Sequence, residues 1–345
     1  MTESQHENRN EPYYKLKLAD YITIVCVLIV LATVGFSLLW LGKNEAFFVP
    51  NTAVNTIFNI VTFLGDELGF VILFSFIYFA FDKRFSRRLM WPFMISTHIN
   101  TTLKVFFKDP RPPSNFDPAF YDPIEGGASG YGLPSGHTQG SVAFYGFSFH
   151  QFKGYKGKGK IAIRIITFAL LLLVPISRLI LGVHDLQDVV FGYLIGYAIL
   201  MLYFSIEPWV LSLKSKLPLY AKILIGVAFS AGLWIGSIML FPDIQDKYEF
   251  GLTGGVLLAF SIAFPIEDKY VRYDPTKMKT WQRIVYGLIG VVVTVGLYFG
   301  LDILFDLIPS VEFAYIFRFM KYFLLALIVT LLVPYIFTLI TKKKE

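Results

Sequence analysis

His184 and Asp188 stand four residues apart, a spacing that puts both on one face of a helix. An aspartate so placed can hold one imidazole nitrogen and stabilise the charged ring. Ser177 and Arg178 lie just upstream. A second group, Pro134-Ser135-Gly136-His137, reads as a helix start. Ser135 can cap that helix or donate to an oxyanion, and Gly136 lets backbone approach closely. The unpaired N–H groups and positive dipole end suit an anion. A third group holds Lys104 and, seven residues on, Arg111 followed by Pro112. Two helical turns apart, the two cations can point the same way even if Pro110 ends the helix. Each group alone has a plain structural reading: a snorkelling lysine beside a solvated arginine, an ordinary N-cap, a hydrogen bond inside a bundle. Together they offer two histidines, a carboxylate and three cations. That is the inventory of phosphoryl transfer: donors for the phosphate oxygens, a nucleophile, and a proton for the leaving oxygen.

The elements that must position these groups read as membrane helices. Of the 345 residues, 55% are hydrophobic and 16% charged, against about a quarter charged in a soluble domain. Apolar runs near 21–41, 68–82, 89–107, 136–152, 161–181, 185–206, 221–241, 250–266, 284–305 and 314–341 predict ten spanning helices, since about 20 apolar residues cross a bilayer. Residues 47–64 are amphipathic and carry Asn51, Asn55 and Asn59. They predict an interfacial or re-entrant helix, with a short extra span as the alternative.

Loop charge supplies the topology. Lys83, Arg84, Arg87 and Arg88 share one loop; Lys153, Lys156, Lys158 and Lys160 fill another; Lys214, Lys216 and Lys222, then Lys269, Arg272, Lys277, Lys279 and Arg283 follow, and Lys342, Lys343 and Lys344 lie in the tail. With ten spans all of these fall on one side. Alternate loops carry Asp66 and Glu67, then Asp243, Asp246 and Glu249, then Asp302, Asp306 and Glu312. Such a positive-inside pattern predicts both termini in the cytoplasm and the three chemical groups on the extracytoplasmic or lumenal side. It also accounts for the net charge of +6 without a nucleic-acid partner. The single cysteine, Cys26, can form no internal disulfide, and no Cys/His grouping resembles a zinc site. The pairs Gly192/Gly196, Gly232/Gly236 and Gly296/Gly300 predict close helix packing inside the bundle rather than a dimer interface. A homo-oligomer is compatible with the sequence but not indicated by it.

Taken together, Lys104–Arg111–Pro112, Pro134-Ser135-Gly136-His137 and Ser177-Arg178 with His184 and Asp188 resemble the three motifs of the type 2 phosphatidic acid phosphatase superfamily, with no departure at a motif position. The superfamily includes lipid phosphate phosphatases, isoprenoid diphosphate phosphatases and glucose-6-phosphatase. The resemblance covers a six-span phosphatase core over 20–206 of an all-α, polytopic bundle; the polar residues 1–19 read as a cytoplasmic tail, and about four more spans over 207–345, of unassigned role, lie outside the shared core. It implies that His184 attacks phosphorus and forms a phosphohistidine, that Asp188 orients it, and that His137 protonates the leaving oxygen. Lys104, Arg111, Ser135, Gly136 and Arg178 would hold the phosphate. These fixed cations would do what a metal does elsewhere, so no cofactor and no metal is expected.

The expected substrate is a lipid phosphate in the bilayer, of isoprenoid diphosphate or phosphatidic acid type. The alternatives are a soluble sugar phosphate and a lipid headgroup phosphotransferase; transport is a further one, disfavoured because it needs no His184/Asp188 pair. Two residues stand behind the main set. Asn100 is one turn before Lys104, and Glu67 sits with Asp66 in Gly65-Asp-Glu-Leu-Gly69, where a helix-start preference for acid is the simpler account. His98, in a polar run, predicts a buried hydrogen bond. The loop 113–133, with Asp117, Asp122 and Glu125, would cover the site or merely connect two helices.

Overall fold

The computed structural model describes residues 14–42, 47–49, 51–112, 130–157, 159–307 and 312–342. Among them all regular structure is helical. Chain order is α1 (Leu18–Leu41), α2 (Thr52–Phe63), α3 (Glu67–Phe76), α4 (Lys83–Phe107), α5 (Gly136–Ser141, continued through a π-helical turn into Phe147–Gln151), α6 (Lys160–Ile180), α7 (Leu186–Lys216), α8 (Leu219–Leu240), α9 (Gly251–Ile266), α10 (Thr280–Asp306) and α11 (Ala314–Leu327, continued into Val333–Lys342).

Among the described residues, seven helices are long and apolar enough to cross a membrane, and α2 with α3, bent by 49° at their junction, make an eighth if the pair is one span. This is an integral membrane protein. The remaining two of the ten expected spans do not qualify on length and apolarity. Helix α4 is long but carries Lys83, Arg84, Arg87, Arg88, His98, Asn100 and Lys104, and α5 is short and interrupted. The polarity of α4 comes mostly from its ionic groups near Lys83 and Arg87 and from His98, with Lys104 at its end, whereas α5 opens with Gly136 and His137. The segment expected as interfacial or re-entrant is the 12-residue α2, capped by the Asn51 side chain.

The chain forms two compact units that are not contiguous in sequence: Met1–Gly69 with Thr102–Leu211, and Phe70–Thr101 with Ser212–Glu345. Residues 70–101 thus cluster with the C-terminal spans rather than with the flanking N-terminal ones.

In the first unit, α5 and α6 are joined by the basic connector around Lys153 and Lys156, and the chemical groups lie at the opposite ends of both helices. The start of α1 is tied to the connector end: Asp20 accepts from Lys153 Nζ at 2.6 Å and from the Tyr14 hydroxyl at 2.6 Å, while Gln151 Nε2 donates to Tyr14 O at 3.0 Å. Helix α7 packs tightly on α5. A Cβ on Gly192 would meet Thr138 Cβ at 2.8 Å and Ser135 O at 2.9 Å, and one on Gly196 would meet Val142 Cβ at 2.8 Å. The expected role of this glycine pair is therefore met, and it is met at the functional end of α5. Gly232, Gly236, Gly296 and Gly300 have no such neighbour among the described residues, so close packing does not explain them.

The second unit holds a buried ion cluster. Glu267, fully buried, accepts from Lys83 Nζ at 2.8 and 2.9 Å, from Arg87 Nη2, and from Tyr273 N at 2.8 Å. Arg87 also pairs with Asp268. His98 makes the expected buried hydrogen bonds, to Thr253 Oγ1 at 2.9 Å and Ser237 Oγ at 3.1 Å.

Candidate active site

Helix α6 ends where the site begins. Leu181 N, Gly182 N and Val183 N bond back to Ser177 O, Leu179 O and Arg178 O, and Gly182 takes φ +70°, the left-handed turn that glycine tolerates. The chain reverses there and presents His184. Asp185 then caps α7: its Oδ1 accepts from Asp188 N at 2.8 Å. Cap and helical spacing together carry the Asp188 carboxylate to His184, where Oδ2 lies 2.7 Å from Nδ1, both side chains being buried.

The tautomer of His184 follows from its other contact. Arg111 Nη1 stands 3.2 Å from His184 Nε2 and also donates to Val183 O at 2.8 Å. A guanidinium only donates, so Nε2 presents its lone pair and the ring proton sits on Nδ1, facing Asp188. Burial, then the charges of Arg111, Lys104, Arg178 and His137, hold the His184 imidazole well below its usual 6.5. The ring is neutral, with a lone pair on the nitrogen that faces a cation.

The other expected residues gather around it. Ser135 caps α5 through its Oγ, which accepts from Thr138 N at 3.4 Å and from Thr138 Oγ1 at 3.1 Å. Ser135 N donates to Asp188 O at 3.0 Å, locking the start of α5 to the start of α7. Gly136 and His137 open α5 at this locked end. Lys104, in the last turn of α4, donates to Tyr131 O and, at 3.1 Å, to Gly132 O. Arg111 Nε reaches Gly130 O at 3.1 Å. Arg178 is fully buried and donates to Thr62 Oγ1 at 2.7 Å. Nearby acids complete the rim: burial raises the carboxyl of Asp109, and burial together with Asp109 raises that of Asp185.

Of the two reserve residues, Asn100 is buried on α4 one turn before Lys104, and Glu67 opens α3, half-buried. Its neighbour Asp66 meets the second histidine: Asp66 Oδ1 lies 2.6 Å from His137 Nε2. The sequence reading weighs Asp66 with Glu67 and favours a helix-start preference, so it misses the Asp66–His137 pair, as it does Thr62 and Asp185. Two adjacent acids at a helix start give no sign of a histidine partner, and Thr62 and Asp185 belong to no motif. The possible cover loop lies mostly outside the described residues, including 113–129 with Asp117, Asp122 and Glu125.

Chemically, the arrangement joins a neutral, carboxylate-anchored imidazole, a second histidine paired to an acid, and three cations around one point. The model of the PAP2 superfamily matches residues 85–211, which hold all three motifs, and that of the PAP2 superfamily phosphatase transmembrane extension matches residues 250–345. Sphingosine-1-phosphate phosphatase 1 of Mus musculus is 24% identical over 86% of this chain and 75% of its own length. Sphingosine-1-phosphate phosphatase 2 of Homo sapiens is 25% identical over 54% of this chain and 46% of its own, and that of Mus musculus 26% identical over 54% and 52%. The chain thus spans about half the length of the two phosphatase 2 relatives it matches. Among solved structures, the transmembrane PAP2 type phosphatidylglycerolphosphate phosphatase of Bacillus subtilis has a TM-score of 0.38 at 19% identity, covering 55% of this chain and 94% of that one. Residues 85–211, with every motif residue among them, are thus a PAP2 superfamily domain, and residues 250–345 match the transmembrane extension found with such phosphatases.

Proposed function

We propose that this protein hydrolyses the phosphate of a membrane lipid through a phosphohistidine on His184. The observation that carries the reading is the His184 geometry: Nδ1 held by Asp188 at 2.7 Å, with the Nε2 lone pair directed at Arg111 at 3.2 Å, where a phosphate would meet both. In the first step the Nε2 lone pair forms a bond to phosphorus, the P–O bond to the lipid breaks, and His137 gives its proton to the leaving oxygen. In the second, His137 takes a proton from water, the oxygen attacks phosphorus, and the P–N electron pair returns to Nε2, releasing phosphate. Lys104, Arg111 and Arg178 balance the charge of the transferring group, with Ser135 and the Gly136 N–H beside them, so that the reaction runs without a metal. The carbonyls that now engage Lys104 and Arg111 give way to phosphate oxygens.

A lipid substrate is supported by the position of the site, at the ends of helices α5 and α6 in a membrane protein, and by relatives named as sphingosine-1-phosphate phosphatases. A single-chain lipid phosphate of that kind therefore joins phosphatidic acid and isoprenoid diphosphate as a candidate. The site faces the extracytoplasmic or lumenal side, because α5 and α6 carry their basic connector at the other end.

The test is phosphate release by the purified protein in detergent with EDTA. The panel comprises sphingosine 1-phosphate, phosphatidic acid, phosphatidylglycerol phosphate, an isoprenoid diphosphate and glucose 6-phosphate, with His184→Ala alongside. Release that survives EDTA and vanishes in the variant is expected. Release retained by His184→Ala removes the nucleophile assignment, and preference for glucose 6-phosphate removes the lipid one.

A further inference from the structure

The break between α2 and α3 is built as a wall of the site. At its start, Thr62 Oγ1 accepts from Arg178 Nη1 at 2.7 Å. Leu64 O accepts from the Tyr145 hydroxyl of α5 at 2.7 Å. Gly65 is pressed so closely that a Cβ would stand 2.4 Å from Val174 Cγ1 and 3.0 Å from His137 Cδ2. Asp66 Oδ1 then meets His137 Nε2 at 2.6 Å, with the His137 side chain 14% exposed. The turn itself is braced by Gly65 N to Thr62 O at 2.7 Å and Asp66 N to Phe63 O at 3.2 Å. Within five residues the chain thus touches both a phosphate-binding cation and the second histidine. All five lie outside the residues matched by the PAP2 superfamily model.

Resting on the phosphatase reading above, we propose that Asp66 is the positioning residue of the general acid: its carboxylate holds His137 by Nε2, so that Nδ1 serves the leaving oxygen. The arrangement mirrors that of His184, where the carboxylate takes Nδ1 and Nε2 does the chemistry. It also answers an electrostatic need. His137 faces Arg178 from α6, Arg111 from the α4–α5 connection and His184 from the α6–α7 turn. All three oppose a positive ring, and Asp66 is the negative group in hydrogen-bond contact with it. Burial also opposes the charged ring, Asp66 works against all of these, and the negative charge of the bound phosphate adds to it when the proton is needed. During turnover the Nε2 proton stays on the ring, shared with Asp66. The Nδ1 proton goes to the leaving oxygen and is regained from water.

The test exploits the leaving group. An alkoxide needs a proton to depart and a nitrophenolate does not, so a residue acting through the general acid shows its effect on the first ester far more than on the second. Wild type, Asp66→Asn, Asp66→Glu, His137→Ala, His184→Ala and the Asp66→Asn/His137→Ala double variant are assayed for kcat/KM on dodecyl phosphate and 4-nitrophenyl phosphate. Asp66→Asn is expected to lose about ten- to a hundredfold on dodecyl phosphate, and roughly tenfold less on the nitrophenyl ester. The double variant should be no slower than His137→Ala alone, since both changes act on one group. Asp66→Glu, which keeps the charge and guards against an Asn variant that folds poorly, should lose less than Asn on dodecyl phosphate. Equal losses on both esters, additive losses in the double variant, Glu no better than Asn, or unchanged or faster hydrolysis by Asp66→Asn beside a dead His184→Ala would each overturn this inference alone. A wild type that releases no phosphate from either ester, or a His184→Ala variant that hydrolyses both, overturns the phosphatase reading, and this inference with it.

Discussion

At the scale of single residues, the proton on His184 decides what the site can do. Because burial and surrounding cations hold its pKa well below 6.5, the ring stays neutral, and so nucleophilic, as pH falls through the ordinary imidazole range. The acid limb of kcat/KM is therefore expected below pH 6.5, and a pH–rate profile checks it; an acid limb at or above 6.5 would contradict the geometry. Stability follows the opposite side of the same linkage. Below about 6.5 the unfolded chain takes up a proton that folded His184 refuses. This term is thus absent above that pH and grows as pH drops toward the folded pKa. At this scale the motif residues were legible because residue type and spacing carry chemistry directly: His184 and Asp188 meet across four residues, although His184 stands in the turn before α7 rather than on the shared helix face expected. Asp66 was not legible, since 71 residues separate it from His137 and only packing joins them.

Among the elements, glycine decides whether the helices can bring those residues together. A side chain at Gly192 would strike Thr138 and the Ser135 carbonyl, the turn that carries Ser135, Gly136 and His137. Gly192→Ala is expected to lower stability by about 1–3 kcal/mol through overpacking and to reduce activity with it. Gly232→Ala, with nothing within 4 Å among the described residues, should leave both nearly unchanged. Thermal midpoints in detergent and phosphate release compare the two. The sequence pattern of paired glycines is the same in both helices, so the distinction was invisible before the neighbours were known. The helix starts were better marked: Ser135 caps α5 as its type suggests, although the equivalent cap of α7 by Asp185 went unread.

On the scale of the whole molecule, ionic groups hold one unit together and charge placement predicts an orientation in the membrane. Glu267 neutralises Lys83 and Arg87 where all three are buried. Glu267→Gln would leave two cations without their shared counter-ion, at a cost of about 3–5 kcal/mol, read as a lowered thermal midpoint. Orientation is open to labelling. In a Cys26→Ser background, a cysteine at Gly130 should react with an impermeant maleimide in intact cells or sealed lumen-out vesicles, and one at Lys156 only after permeabilisation. The reverse pattern would invert the proposed topology. The count of ten spans rests on apolar runs, and it runs past what length and apolarity support at α4, which carries ionic groups, and at α5, which is short and interrupted.

By itself the sequence determined that this is a helical membrane protein, and residue type and spacing singled out the histidines, carboxylate and cations that the fold brings together. Composition and helical spacing are local properties, legible along one stretch of chain. Only the tertiary structure decided the rest: that 70–101 packs with the C-terminal helices, that Gly192 rather than Gly232 is a close-packing position, that Arg111 fixes the His184 tautomer, and that Asp66 meets His137. Each of these depends on which distant surfaces meet, and that is set by the packing of whole helices rather than by spacing along any one of them.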